Sequence, residues 1–451
     1  MAARKTQTRS RADDAWSLPP LFESQTREGM KVIVMPRGTL PLVTVRVVIE
    51  AGSAYDPKGK EGLADFTIRL MRRGAAGMSA KELDDAIEFT GSSLSVGVSE
   101  ELMILHLTCP EAHLKAMLGV VGKVLARPDF PEDELERLRS RTIAQLVNEQ
   151  DDPGALAERA QTEAYWGRHP YGHDTSGTRK SVKRFTREDV VAFHRDRMGP
   201  RVALAAVVGA VEPKATARMV ERAFADFTGG PEKRTHFEAP ASVPQGQVLI
   251  VDKPEQTQAQ VRLAGPAYPF ADPAHFPAVV MNVALGGGFT SRLINEIRVN
   301  RGLTYGISSG FAPMRAAGMF LVSTFTKTGT AHEIIRRTLD ELHKLRRGGL
   351  SSEELTHAQT YLAGLYPLRN ETHDALAASL AELITYGQGP EWIEQYRARV
   401  RAVTLDEANE AARNWLYREP PLVVVVGRAS ELKGPLADFG EVTVKPAASF
   451  A

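Results

Sequence analysis

An order of elements that occurs twice limits the folds open to this chain. Strands over 30–35 and 44–49, read as an opening hairpin around Gly38, precede a helix over 62–73 and a second from Ser79. Ser79 and Glu82 form a capping-box pair, and Gly91 ends that helix. A strand pair over 93–98 and 101–108 follows, then helices over 112–126 and 132–149. The order returns about 215–225 residues later. Strands over 248–251 and 260–264, a helix over 273–285, a strand pair over 304–311 and 318–325, and a helix over 331–347 lead to another capping-box pair, Ser351 and Glu354. The pattern predicts a tandem duplication of class α+β, each unit an antiparallel sheet backed on one face by helices. The expected division is a polar arm over 1–24, a first domain over 25–228 closed by a buried strand at 202–211, a Gly- and Pro-rich linker over 229–246, and a second domain over 247–451. A chain of 451 residues needs two cores, which agrees with this division.

Charge and cysteine content narrow the function. With 56 basic and 55 acidic residues the chain has no global field for nucleic acid or an anionic membrane, and neither is expected as a partner. One cysteine, Cys109, excludes an internal disulfide and a cysteine-built zinc site, and it is expected to be buried and inert. The opening residues MAARKTQTRSRADDAW lack the apolar run of about 7–15 residues of a secretory signal. The expected location is cytoplasmic, or periplasmic if this is a processed form. No stretch approaches the roughly 18 apolar residues of a membrane span.

Chemistry concentrates in 285–311, LGGGFTSRLINEIRVNRGLTYGISSGF. Gly286, Gly287 and Gly288 allow a tight turn, Thr290 or Ser291 can cap the next helix, and Gly302 ends it. Arg298 then falls in the last helical turn and Tyr305 at the start of a strand, so the two can converge as donors for a carbonyl oxygen or a developing oxyanion. A helix-capping Arg beside a core Tyr is the plainer alternative.

The run SRL, then Arg298, then GLTY, resembles the second-half signature of the pitrilysin, insulysin and mitochondrial processing peptidase family of zinc endopeptidases, and the likeness extends over nearly the whole chain. The resemblance implies a clamshell of two such halves per subunit. It also implies that Arg298 and Tyr305 bind the substrate backbone beside the scissile bond, while an H-x-x-E-H helix elsewhere holds zinc. The matching stretch here is GSAYDPKGKEGLADFTIRLM. Gly52, Asp56, Gly59, Gly62, Leu63 and Ala64 keep its frame, but the three chemical positions are Asp65, Ile68 and Arg69. An Arg stays protonated and an Ile cannot activate water. The third ligand, a Glu about 77 residues beyond the second His in the family, is matched by Gln145 or Leu146. Asp65 and Arg69, at i and i+4, are expected to pair where zinc would sit, or to form a plain surface ion pair. His169 and His173 are separated by Pro170 and Gly172 and are not expected to bind metal, nor is His106.

The resemblance thus implies a non-zinc subunit, inactive alone. Its partner would be a homologous H-x-x-E-H subunit carrying the zinc, its substrates peptides, and its own metal none. The alternatives are a structural or assembly subunit, as in the core subunits of the respiratory cytochrome bc complex, and a peptide-binding module.

Overall fold

The computed structural model describes residues 18–38, 40–417 and 420–450; the opening residues read above for a targeting signal lie outside them. Among these residues two six-stranded sheets carry the repeat. The first is made of β1 (Phe22–Gln25), β2 (Lys31–Pro36), β3 (Leu42–Ile49), β4 (Ser93–Val98), β5 (Met103–Pro110) and β6 (Ala203–Gly209), in the order β1-β2-β6-β3-β5-β4. The second is made of β7 (Gln247–Asp252), β8 (Gln258–Ala267), β9 (Ile307–Pro313), β10 (Gly318–Lys327), β11 (Leu422–Gly427) and β12 (Glu441–Pro446), in the order β12-β7-β11-β8-β10-β9. Five strands correspond one to one, and the sixth edge strand comes from the start of the chain in one half and from its end in the other.

The strand pair β4–β5, the capping boxes at Ser79 and Ser351 and the positive φ of Gly91 agree with the sequence. Two corrections concern the sheets, which are mixed where antiparallel ones were expected. Strand β6 returns after the helices and inserts between β2 and β3, parallel to β2, and β11 repeats this beside β7. The expected hairpin of β2 and β3 is therefore absent. The opening hairpin is β1–β2, turned at Gly29 (φ +98°), and its first strand begins inside the stretch read as a polar arm.

Strands β6 and β11 are apolar at every residue because both of their faces are covered. Alternate residues of β6 point to different cores, Ala205 and Val207 to one, Leu204, Ala206 and Val208 to the other. The second half supplies the helix His373–Thr385 to cover β3 and β6, and the first half supplies Pro153–Trp166 to cover β8 and β11. Each half thus lends a helix to the other's sheet.

A partly buried charge cluster ties the halves together. Arg315, between β9 and β10, donates to Glu50 Oε2 (3.0 Å) and to the Thr385 carbonyl (3.0 Å), while its backbone N–H faces both oxygens of Glu101 at 3.3 Å. Tyr171 donates to the same Glu101 carboxylate. Burial pushes the Glu50 carboxyl up, and Arg315 pulls it back down. Cys109 is buried and its thiol is pushed up to about 12, as an inert cysteine should be. No helix among the described residues is long and apolar enough to cross a membrane.

Candidate functional site

Arg298 stands near the end of a helical segment that widens into a π-helix, Ile294–Asn300. Such wide turns are rare and collect at functional sites. The base of the segment is fixed by Arg292, whose Nε and Nη2 donate to the two oxygens of Glu354 at 2.6 and 2.7 Å. Glu354 is also the acid of the capping box that opens the helix Ser352–Arg369. At the other end Gly302 (φ +62°) stops the helix, its N–H on the Arg298 carbonyl and that of Leu303 on the Ile297 carbonyl, at 3.2 and 3.0 Å.

The loop that follows is clamped to β10. Thr326 Oγ1 donates to the Leu303 carbonyl (2.7 Å) and Thr324 Oγ1 to that of Gly306 (2.9 Å). Between them Tyr305 turns outward and is 83% exposed. It does not open the strand as expected, because the Gly306 N–H bonds the Thr304 hydroxyl (3.1 Å) and β9 begins only at Ile307. No hydrogen bond joins the Arg298 and Tyr305 side chains, and neither side chain has a hydrogen bond or ion pair to any other described residue. The Arg298 guanidinium instead lies over the Phe289 ring, 5.3 Å from its centroid.

The glycine run acts through size, not through a left-handed turn. None of Gly286, Gly287 and Gly288 has a positive φ, and the first two lie in a π turn, Val283–Gly287. A Cβ on Gly286 would stand 2.4 Å from Ser309 Oγ, and one on Gly287 would stand 2.8 Å from Asn282 Nδ2. That closeness lets Asn282 exchange two hydrogen bonds with Ser309 of β9, at 2.9 and 2.6 Å. The cap expected from Thr290 or Ser291 is not made: the Ser291 hydroxyl is buried without a partner, and Asn295 Nδ2 donates to the Thr290 carbonyl (2.9 Å).

The three substituted positions lie on the helix Leu63–Met71. Asp65 and Arg69 pair at 3.0 Å, and Ile68 is fully buried. Asp56 caps the helix from outside, accepting from the N–H of Gly62 (2.6 Å) and of Ala64 (2.7 Å), and bonds His173 at 3.1 Å. Burial lowers the His173 pKa, but Asp56 outweighs it and leaves the ring raised. Gly62 has φ +93°, and a Cβ there would stand 2.6 Å from the Ser176 carbonyl. The retained frame therefore builds the helix and its contact with the 169–178 loop. His169 bonds the Glu238 carbonyl (2.8 Å) and His106 bonds Asp374 (2.8 Å).

Burial pushes the Asp65 carboxyl up, Arg69 pulls it down, and Asp174 and Glu149 push it up again. Sequence reasoning missed Asp174 and the cation that answers it, Arg159. From the cross-packed helix Pro153–Trp166, Arg159 is 6% exposed, with Nη2 3.3 Å from Asp174 and 3.6 Å from Glu149, while Nη1 donates to the Phe450 carbonyl (3.0 Å). A cleft of about 230 Å³ lies between these groups. Gln145 is exposed and donates to Glu149 (2.8 Å), while Leu146 is buried, so the acid on this helix nearest Asp65 is Glu149.

These residues do not fit a zinc ion. An apolar side chain and two guanidiniums occupy a corner where three neutral or anionic donors would be needed. Among the described residues no three His, Cys, Asp or Glu side chains are grouped to hold a metal. Asp65→His combined with Arg69→His should still bind zinc weakly, because Glu149 is engaged by Gln145 and Arg159. Elemental analysis after dialysis checks this, and one tightly held zinc per chain would mean that Glu149 is free to serve as a third ligand.

Two family models match the chain, one described as insulinase (peptidase family M16) over residues 32–179 and one as the peptidase M16 inactive domain over residues 184–362. The chain belongs to peptidase family M16. An uncharacterized zinc protease of Streptomyces coelicolor is 24% identical to this M16 chain over 423 residues, covering 91% of it and 88% of the relative. The zinc protease YmxG of Bacillus subtilis, also uncharacterized, is 21% identical over 400 residues, covering 88% and 96%. Among solved structures, a peptidase M16 inactive domain from Pseudomonas fluorescens superposes with a TM-score of 0.86 at 25% identity, covering 91% of the M16 chain and 98% of that one. A protease from Helicobacter pylori, at 18% identity and TM-score 0.84, shares the two-domain fold.

Proposed function

We propose that this M16 chain is the non-zinc subunit of a two-chain zinc endopeptidase, supplying Arg298 and Tyr305 to bind the substrate backbone across a chamber whose other wall carries the zinc. One contrast carries the reading: the zinc corner is filled by Asp65, Ile68 and Arg69, while the Tyr305 phenol stands exposed on a clamped loop and the half-buried Arg298 guanidinium gives none of its N–H donors to a described acceptor. A protein used only as scaffold has no need to hold a phenol 83% exposed and a guanidinium whose N–H donors meet no described acceptor. The guanidinium and the phenol would hydrogen-bond the scissile carbonyl as charge develops on its oxygen. Zinc, held entirely by the partner, would supply the activated water.

Co-expression with an H-x-x-E-H chain of the same scaffold tests the assembly. Size-exclusion chromatography with elemental analysis should find a one-to-one pair holding one zinc, and a separated chain of this sequence holding none. If the two chains migrate apart and this one holds zinc, the reading is wrong.

A further inference from the structure

We infer that Phe289 is a positioning residue for Arg298, a platform that aims the guanidinium without using any of its donors; this rests on the proposed role of Arg298. Phe289 is 75% exposed, so its ring is free of the core and can offer a face to the guanidinium. The turn that carries it is fixed. The Ser291 N–H bonds the Gly288 carbonyl (3.1 Å), Asn295 Nδ2 holds the Thr290 carbonyl (2.9 Å), and Gly286 is pressed against β9 with no room for a side chain. The half-buried Arg298 side chain has no hydrogen bond or ion pair to a described residue, and its guanidinium lies over the ring.

The geometry suits the chemistry required. A free arginine side chain samples many rotamers, and holding it through a salt bridge would consume the N–H groups that a substrate carbonyl needs. A cation over an aromatic ring is attracted by the ring quadrupole without any of its N–H groups being given to an acceptor, so all five donors of the guanidinium stay available. The attraction strengthens when water is excluded, as it would be once a partner closed over the exposed ring. Phe289 itself touches no reacting atom in this scheme.

The test is a double-mutant cycle in the two-chain complex, reading kcat and KM on a short peptide. Phe289→Leu keeps apolar bulk but removes the ring face, and should lower kcat/KM by about 5–30-fold. Phe289→Trp keeps a face and should restore the rate to within about twofold of wild type. In an Arg298→Ala background, Phe289→Leu should cost nothing further. Phe289→Leu at wild-type activity overturns the inference, as does an equal loss from it with and without Arg298. If Arg298→Ala leaves an intact complex fully active, the role of Arg298 fails and the inference with it. In the isolated chain, the side-chain protons of Arg298 should show an upfield ring-current shift that Phe289→Leu removes. Its absence from the wild-type spectrum overturns the stacking, whatever the partner does.

Discussion

Tyr305→Phe in the two-chain complex is expected to lower kcat by about 10²–10³-fold, on the order of 2.7–4 kcal/mol of lost transition-state stabilisation, with little change in KM. The substitution removes one oxygen and keeps a ring that is 83% exposed, so folding and the Thr324 and Thr326 clamps on the loop should be unaffected. Arg298→Ala should cost a similar factor. The measurement is steady-state kinetics on a short peptide, with size exclusion showing the complex intact. A hydroxyl exposed only for solvation would give wild-type kcat, and Tyr305 would then have no catalytic role.

Arg315→Ala should be the most destabilising single change at the domain junction, by about 1.5–3 kcal/mol, because it removes the guanidinium bonded to the Glu50 carboxylate and the Thr385 carbonyl while the Glu101 charge stays nearby. The loss should depend on pH with a definite sign. The native pKa of Glu50 is already raised by burial, and Arg315 is the main group holding it down. Without Arg315 it rises further, so the native state binds more protons than the unfolded one, and stability increases as pH falls through the native pKa. Urea titrations at about pH 7 and about pH 5 should therefore show the deficit shrinking at the lower pH. An equal deficit at both would mean that Arg315 acts only through the Thr385 carbonyl and the packing of its stem.

The elements that sequence predicted correctly are those whose causes are local. The capping boxes at Ser79 and Ser351, the stop at Gly91 and the strand pair β4–β5 depend on neighbours within a few residues or across a short turn. The failures have long-range causes. The β2–β3 hairpin was wrong because β6, from about 160 residues further on, takes the place between them, and nothing near Gly38 encodes that insertion. The helix Pro153–Trp166 was missed because it is sandwiched between the halves, so Leu156, Ala157, Ala160, Tyr165 and Trp166 are all buried and no clean apolar face stands out.

The candidate site divides the same way. Substitution of the zinc positions, and the Asp65–Arg69 pair itself, were readable because i and i+4 on one helix must meet. Arg159 and Asp174 come from separate segments, and only the fold brings them together. The Phe289 contact was hidden because the two wide turns, Val283–Gly287 and Ile294–Asn300, follow no period that a sequence shows.

The central claim, that this chain supplies catalytic donors to a zinc-bearing partner, is tested most directly by complementation. A fixed amount of the isolated H-x-x-E-H subunit is titrated with this chain while hydrolysis of an unstructured peptide is followed. The rate should rise from near zero and level off at one chain per partner. The Arg298→Ala, Tyr305→Phe double variant should bind at the same ratio yet leave the rate close to its starting value. A partner that cleaves equally well with no added chain, or a double variant that complements as well as wild type, would contradict the account.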